Sequence, residues 1–222
     1  MRVTAVIPAH NEAGRVGAVV RALAGLPPVA QIVVVDDGSR DGTGAEARRA
    51  GAVVVRRARR GGKAAALAAG VARAEGDLLL FVDADLGASA AGVAPLVEAV
   101  GAGGCDLALG RLPRGRRGGG WGLATGLARL ALRAAGGHGL ESPLSGQRAC
   151  RRELLAGLPT WGVGYGVEMA INLHALRRGA RIREIDIDVE HRVTGRDLPG
   201  VIHRGRQFAD IAATLALWGL VR

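Results

Sequence analysis

The sequence predicts an α/β protein built on a single, mostly parallel sheet flanked by helices, and three observations lead there. Short β-rich runs alternate with helical stretches through the first half, the pattern of strands joined by crossover helices. One run, Leu78-Leu79-Leu80-Phe81-Val82, is continuously apolar, as expected of a strand buried on both faces. Four successive strand candidates end in polar or glycine-rich sequence, at Pro8-Ala9-His10-Asn11-Glu12, Asp36-Asp37-Gly38-Ser39, Gly61-Gly62-Lys63 and Asp83-Ala84-Asp85. In a right-handed wind these ends share one edge of the sheet, where open α/β sheets place their ligands.

Each element has a local cause. Val3 to Ile7 is rich in β-branched residues and forms the first strand. Glu12 to Ala24 follows as a helix, with Asn11-Glu12 at its start. Gln31 to Val35 is the second strand, Asp41 to Ala50 a helix, Ala52 to Arg56 the third strand, and Lys63 to Ala74 an alanine-rich helix. The apolar run from Leu78 is the fourth strand, and its alternation puts Asp83 and Asp85 on one face. A helix near Ala91 to Val100 and a strand at Asp106 to Leu109 come next. Arg111 to Gly120, rich in Arg and Gly and holding Pro113, reads as a mobile loop. Trp121 to Ala135 is an amphipathic helix, Pro143 to Arg152 irregular or strand-like, and Val167 to Arg178 helical. Ile182 to Val189 alternates apolar and charged residues, a half-exposed strand. Val201 to Val221 is a helix whose apolar end offers a face to the domain, to a second copy in a homodimer, or to a membrane surface.

At 222 residues the chain reads as one domain, 1–222, with a core of useful size. Its hydrophobic residues, 49% of the total, are interrupted by charges and glycines everywhere. No segment reaches the roughly 20 apolar residues needed to span a bilayer. Met1-Arg2 leads straight into a strand rather than a leader peptide, so the expected location is cytoplasmic. Cys105 and Cys150 lack metal spacing and read as ordinary thiols. The net charge of +10 points to anionic ligands or an anionic surface. Nucleic acid is an unlikely partner, because six aromatic residues leave little material for base stacking.

The strand ends carry matching chemistry. Carboxylates at the second end can accept hydrogen bonds from a base or ribose, and Gly61-Gly62-Lys63 allows close backbone approach beside a positive charge. Neither a Walker loop nor a Gly-x-Gly-x-x-Gly fingerprint is present. Two neighbouring carboxylates, Asp83 and Asp85, are costly unless a cation or proton sits between them. Hard oxygens favour Mg²⁺ or Mn²⁺, and Mg²⁺ bridges carboxylates to substrate phosphates. A nucleoside diphosphate held through a divalent ion follows.

Together the four segments resemble a GT-A glycosyltransferase of the family 2 type. The resemblance implies that residues 1–110 bind a UDP- or GDP-sugar donor and that residues 111–222, with a C-terminal strand and helix, bind the acceptor. It makes Pro8, Ala9, Asn11, Glu12, Asp36, Asp37, Gly38, Gly62, Lys63, Asp83 and Ala84 donor-side residues. It makes Asp85 a metal ligand, joined by His191, with Mg²⁺ or Mn²⁺ as the cofactor. Ser142 to Leu154, Gly164 to Met169 and His191-Arg192 are similar to the acceptor-side segments of glucosyl-3-phosphoglycerate synthases. Asp83-Ala84-Asp85-Leu86, Gly110-Arg111 and Arg192-Val193-Thr194-Gly195 are similar to those of polyprenyl-phosphate sugar transferases. The implied acceptor is a phosphorylated small molecule such as 3-phosphoglycerate, or a polyprenyl phosphate reached by peripheral membrane contact. The Gln-x-x-Arg-Trp motif of processive synthases is absent.

Transfer at an anomeric carbon needs a stabilised leaving diphosphate, a close acceptor hydroxyl and a destination for its proton. Metal and Lys63 serve the first. Asp83 and Glu168 are the catalytic candidates: either is a general base if configuration inverts, and Glu168 orients donor or acceptor if it is retained. Gly110, Arg111, Ser145, Gly146 and Arg192 are candidates for holding an acceptor phosphate, for which arginine's planar fork is suited. Two other classes differ from this pattern in recognisable ways. A nucleotidyltransferase would carry a Gly-rich basic loop after its first strand, where Pro8 to Glu12 stands instead. A basic, non-catalytic nucleic-acid or surface-binding module would show salt-sensitive binding and no response to sugar nucleotides.

Overall fold

The computed structural model describes residues 1–112, 123–137, 139–190 and 198–219, with side chains left aside from 198 to 204. Seven strands form one sheet: β1 (Val3–Ala9), β2 (Val29–Asp36), β3 (Val53–Arg56), β4 (Leu78–Phe81), β5 (Leu107–Arg111), β6 (Arg148–Arg151) and β7 (Ile182–Asp186). Their spatial order is β3-β2-β1-β4-β6-β5-β7. The pairs β3/β2, β2/β1, β1/β4 and β5/β7 are parallel, while β6 runs antiparallel between β4 and β5. The first four strands therefore deliver their carboxyl ends to one edge. The central residues of β1, β2 and β4, including Val6, Val33, Val34, Val35 and Leu78 to Phe81, are buried, as continuous apolar runs between helix layers should be, while β3 at the edge leaves Val53 exposed.

The described residues include seven helices: α1 (Val16–Ala24), α2 (Thr43–Arg49), α3 (Gly62–Val71), α4 (Ala94–Gly101), α5 (Leu123–Ala134), α6 (Val167–Arg177) and α7 (Leu198–Leu217). Val16, Val19, Val20 and Leu23 of α1 and Leu96, Val97 and Val100 of α4 pack on one face. Ala64 and Leu67 of α3 and Val167 and Ile171 of α6 cover the other. Helices α5, α6 and α7 share a further apolar cluster around Leu132, Met169, Leu173 and Leu215. Burial also holds His174 of α6 below its ordinary pKa, its ring lying edge-on to Trp218.

Three expectations change in detail. Helix α1 begins at Val16 rather than Glu12, because Asn11 takes a left-handed φ of 56° and the Glu46 carboxylate accepts the N–H groups of Gly14 and Gly17 at the helix start. Pro143 to Arg152 holds a true strand, β6, only from Arg148 to Arg151. Strand β4 stops at Phe81, so strand alternation does not set Asp83 and Asp85 together; a turn over Ala84 and Asp85 leads instead into a 3-10 helix at Gly87–Val93. Most of the 111–120 loop, Trp121 and the last apolar residues Leu220 and Val221 lie outside the described residues.

Candidate active site

Antiparallel β6 builds the centre of the site. Phe81 at the end of β4 pairs with Arg148 at the start of β6, which in turn pairs with Leu109 of β5. The residues just beyond β4 therefore meet those just before β6. Gln147 Nε2 donates to Asp83 Oδ2 at 2.8 Å, and the Gly110 N–H donates to the Gln147 carbonyl at 2.8 Å. Gly146 lies against Asp83 so closely that a Cβ would collide with Oδ2 and stand 2.8 Å from Lys63 Nζ. Gly146→Ala is thus expected to push apart the charged groups it abuts. Transferase assays should show kcat reduced by about a hundredfold, as for misplacement of around 1 Å; near wild-type turnover would mean that this contact does not matter.

Lys63 ties the turn after β4 to the start of α6. It is the second residue of α3, whose start is held by Asp37: the carboxylate of Asp37 accepts the N–H groups of Gly61 and Gly62 and pairs with Arg57 at 2.6 Å. From there Nζ reaches Asp83 Oδ1 at 2.8 Å and Glu168 Oε1 at 2.9 Å. Burial works against the ammonium charge, but the two carboxylates outweigh it and hold Lys63 above its ordinary pKa. Glu168, with its side chain 6% exposed, stands in the first turn of α6, where the helix dipole favours a carboxylate. The loop leading to it, Gly162 to Gly166, is clamped on α7: the Val163 N–H donates to Thr214 Oγ1 at 2.9 Å and the Tyr165 N–H to Asp210 Oδ2 at 3.0 Å. Side chains at 164 and 166 would strike Asp210 and Thr214, so glycine is needed at both.

Behind this cluster lies Arg148, 1% exposed. Its guanidinium donates to the carbonyls of Ser145 and Glu168 and to Asn172 Oδ1, and Asn172 Nδ2 donates to the Pro143 carbonyl at 2.8 Å. Burial lowers its pKa, opposed by the charges of Glu168 and Asp83. In front, a cleft of about 300 Å³ is bounded by Lys63, Asp83, Gln147, Tyr165, Glu168 and Gln207. Polar hydrogen-bonding groups set around a compact hollow suit a polyhydroxylated ligand.

The other expected residues fall as follows. Pro8 and Ala9 end β1, where the Ala9 carbonyl accepts the Asp37 N–H; Asn11 and Glu12 are tied to the second strand end through Ser39 Oγ and Thr43 Oγ1. Gly38 takes a φ of 75° in the turn after β2, and Gly62 a φ of 84° at the start of α3. Ala84 is buried beside Asp85, whose Oδ1 is shielded from solvent. Gly110, Ser145 and Gly146 border the cleft. Asp36 and Arg111 each have partners within the protein. Successive strand residues face opposite ways, so while Asp37 meets α3, Asp36 Oδ2 turns to Gly44 of α2, and its Oδ1 accepts the Ser39 N–H. Arg111 makes a two-pronged pair with Asp186 of β7, at 2.6 and 3.0 Å. His191 and Arg192 lie outside the described residues, and among the described residues no three His, Cys, Asp or Glu side chains gather as a metal site. Gln147, Arg148, Tyr165, Asn172, Gln207 and Asp210 were not anticipated as site residues.

Comparison with known proteins agrees with this fold. The profile described as Glycosyl transferase family 2 matches residues 4–155. Glucosyl-3-phosphoglycerate synthase of Mycolicibacterium paratuberculosis is 32% identical, over 95% of this chain and 68% of that protein. Dolichol-phosphate mannosyltransferase of Pyrococcus furiosus is 30% identical over 77% of this chain, and the match spans about half of that relative, 52%. The crystal structure of glucosyl-3-phosphoglycerate synthase from Mycobacterium tuberculosis with Mn²⁺, uridine-diphosphate-glucose and phosphoglyceric acid superposes with a TM-score of 0.79 at 29% identity, covering 100% of this chain and 80% of that one.

Proposed function

Because the chain belongs to Glycosyl transferase family 2, we propose that it moves a hexose, glucose first, from a nucleoside diphosphate sugar to a small phosphorylated acceptor such as 3-phosphoglycerate. The observation that carries the reading is the Lys63 bridge between Asp83 and Glu168, which joins the converged strand ends to the cleft. The likeness to glucosyl-3-phosphoglycerate synthases supports the choice of sugar and acceptor.

The donor set fits a divalent ion. Asp85 offers hard carboxylate oxygens at the turn after β4, and a site with few protein ligands is how Mg²⁺ is held when phosphates and water complete its shell. Asp85 would hold Mg²⁺ or Mn²⁺, with His191 as the second protein ligand; when bound, the ion offsets charge developing on the departing diphosphate. Lys63 adds a buried positive charge beside the same group, Glu168 accepts a hydrogen bond from a reacting or neighbouring hydroxyl, and Gln147 fixes Asp83.

A second reading, transfer to a polyprenyl phosphate, is supported by the likeness to dolichol-phosphate mannosyltransferase and by exposed apolar side chains on two helices. Leu123 and Leu130 of α5 and Phe208 and Leu217 of α7 are 65%, 68%, 42% and 62% exposed. Among the described residues no helix is long and apolar enough to cross a membrane. Incubation with Mg²⁺ and labelled UDP-glucose or GDP-mannose, with 3-phosphoglycerate or a polyprenyl phosphate, separates the two. Glucosyl-phosphoglycerate is the expected product, and glycolipid alone would replace the first reading by the second. Calorimetry on Asp85→Ala should show metal-dependent donor affinity lowered by at least about a hundredfold, the scale of a lost charge-assisted ligand; unchanged affinity would remove Asp85 from the metal.

A further inference from the structure

A second basic concavity lies away from the cleft and is not explained by glycosyl transfer. It measures about 170 Å³ and sits where β2, β3 and α2 meet, on the face of the sheet to which Asp36 turns. Three arginines from three elements line it: Arg40 in the turn after β2, Arg48 in the last turn of α2, and Arg56 at the end of β3, opposite Asp36 in the ladder. Among the described residues none of their guanidiniums forms an ion pair or hydrogen bond, unlike that of Arg57, the next residue after Arg56, or those of Arg111 and Arg181 at the far edge of the sheet.

The acidic groups on the same elements do not offset them. Asp41 is occupied by the Ala13 and Thr43 N–H groups and Thr43 Oγ1, and Glu46 by the N–H groups of Gly14 and Gly17. Only the carboxylate of Asp36, 3% exposed, belongs to the hollow. Three fixed guanidinium charges against one carboxylate leave a surplus of two positive charges. Arginine forks suit tetrahedral phosphate oxygens, three elements bring one each to this hollow, and a phosphate monoester carries about −1.5 to −2 charge at neutral pH.

We propose that Arg40, Arg48 and Arg56 form a binding site for a phosphate-monoester dianion, separate from the donor and acceptor cleft. The ligand is either a free phosphorylated metabolite or the headgroup of a phosphate-bearing lipid. The inference does not depend on the choice of glycosyl acceptor, since none of the three arginines borders the cleft.

Wild-type protein and the triple variant Arg40→Gln/Arg48→Gln/Arg56→Gln, whose changes are all at exposed positions, provide the test. Each is titrated calorimetrically with inorganic phosphate in a buffer free of other multivalent anions. Each is also sedimented with phosphatidylcholine vesicles with and without phosphatidic acid. Saturable phosphate binding to the wild type, weakened in the triple variant by at least about a hundredfold as expected for several lost charge-assisted hydrogen bonds, supports the site and a free ligand. Arginine-dependent sedimentation with phosphatidic acid vesicles, without measurable binding of free phosphate, supports the site and a lipid headgroup. UDP-glucose affinity should be the same in both proteins. Equal phosphate affinity and equal vesicle retention in the two proteins, or neither in the wild type, would overturn the proposal.

Discussion

Lys63→Met is expected to lower kcat by on the order of 10³, the upper range for removing a group that stabilises developing charge. The substitution keeps the length of the side chain and its packing on α3 but deletes the charge held 2.8 Å from Asp83 and 2.9 Å from Glu168. Two carboxylates then face each other in a poorly solvated site. Breaking a buried pair by removing one partner costs about 3–5 kcal/mol, and the partial exposure of Asp83, at 25% of its side chain, moves the expected loss to the lower end. Their repulsion is relieved by protonating one of them, so the variant should gain stability as pH falls from about 8 to 5. The wild type should not, because a lysine held above its ordinary value of 10.5 contributes fully at any lower pH and loses that contribution only in the alkaline range. Denaturant melts across pH, together with initial rates, test both halves. A variant with wild-type kcat, or one whose stability does not depend on pH between 5 and 8, would show that the bridge is incidental.

The parts of this site that sequence revealed are those that need only strand order. Val3 to Ile7, Gln31 to Val35 and Leu78 to Phe81 could be read as parallel strands from their apolar, β-branched runs, and their polar ends then had to share an edge. That placed Asp37, Lys63 and Asp83 in one region before any coordinates. Orientation within an end was less visible. Asp36 and Asp37 are chemically identical neighbours, and only the pleat sends one to α2 and the other to α3. Likewise Arg111, a candidate for an acceptor phosphate at the start of a loop, gains its partner Asp186 only because β7 lies beside β5.

The part played by β6 was hidden for a topological reason. Nothing local in Arg148-Ala149-Cys150-Arg151 says that this strand inserts antiparallel between β4 and β5, and an arginine at the start of a short strand is ordinarily exposed. The insertion is what buries Arg148 and carries Gly146 and Gln147 to Asp83. Ser145, Gly146 and Glu168 came from the resemblance carried by Ser142 to Leu154 and Gly164 to Met169; the residue pattern alone offered only Gly146, a glycine directly before a polar pair, which has many commoner explanations.

Arg148→Met is the second large effect. Burying a guanidinium without a carboxylate in hydrogen-bond contact is costly, so its removal recovers several kcal/mol of desolvation. Against this, the carbonyls of Ser145 and Glu168 and the amide oxygen of Asn172 lose their donors, at about 1–3 kcal/mol for each orphaned buried group. The second sum is the larger, and a net loss of about 3 kcal/mol in denaturant melts is expected. Activity should suffer beyond stability, because the same three groups fix the segment bearing Gly146 and the first turn bearing Glu168. At a temperature where the variant is fully folded, kcat should fall by about a hundredfold with donor KM within about threefold, the signature of misplaced catalytic groups rather than lost substrate binding. Arg148→Lys discriminates charge from geometry. An ammonium restores the positive charge but cannot place Nε and Nη donors on the Ser145 carbonyl together while also reaching Asn172. It should therefore recover part of the stability and little of kcat. Recovery of both would assign Arg148 a purely electrostatic part, whereas a folded Met variant with wild-type turnover would reduce it to a core residue.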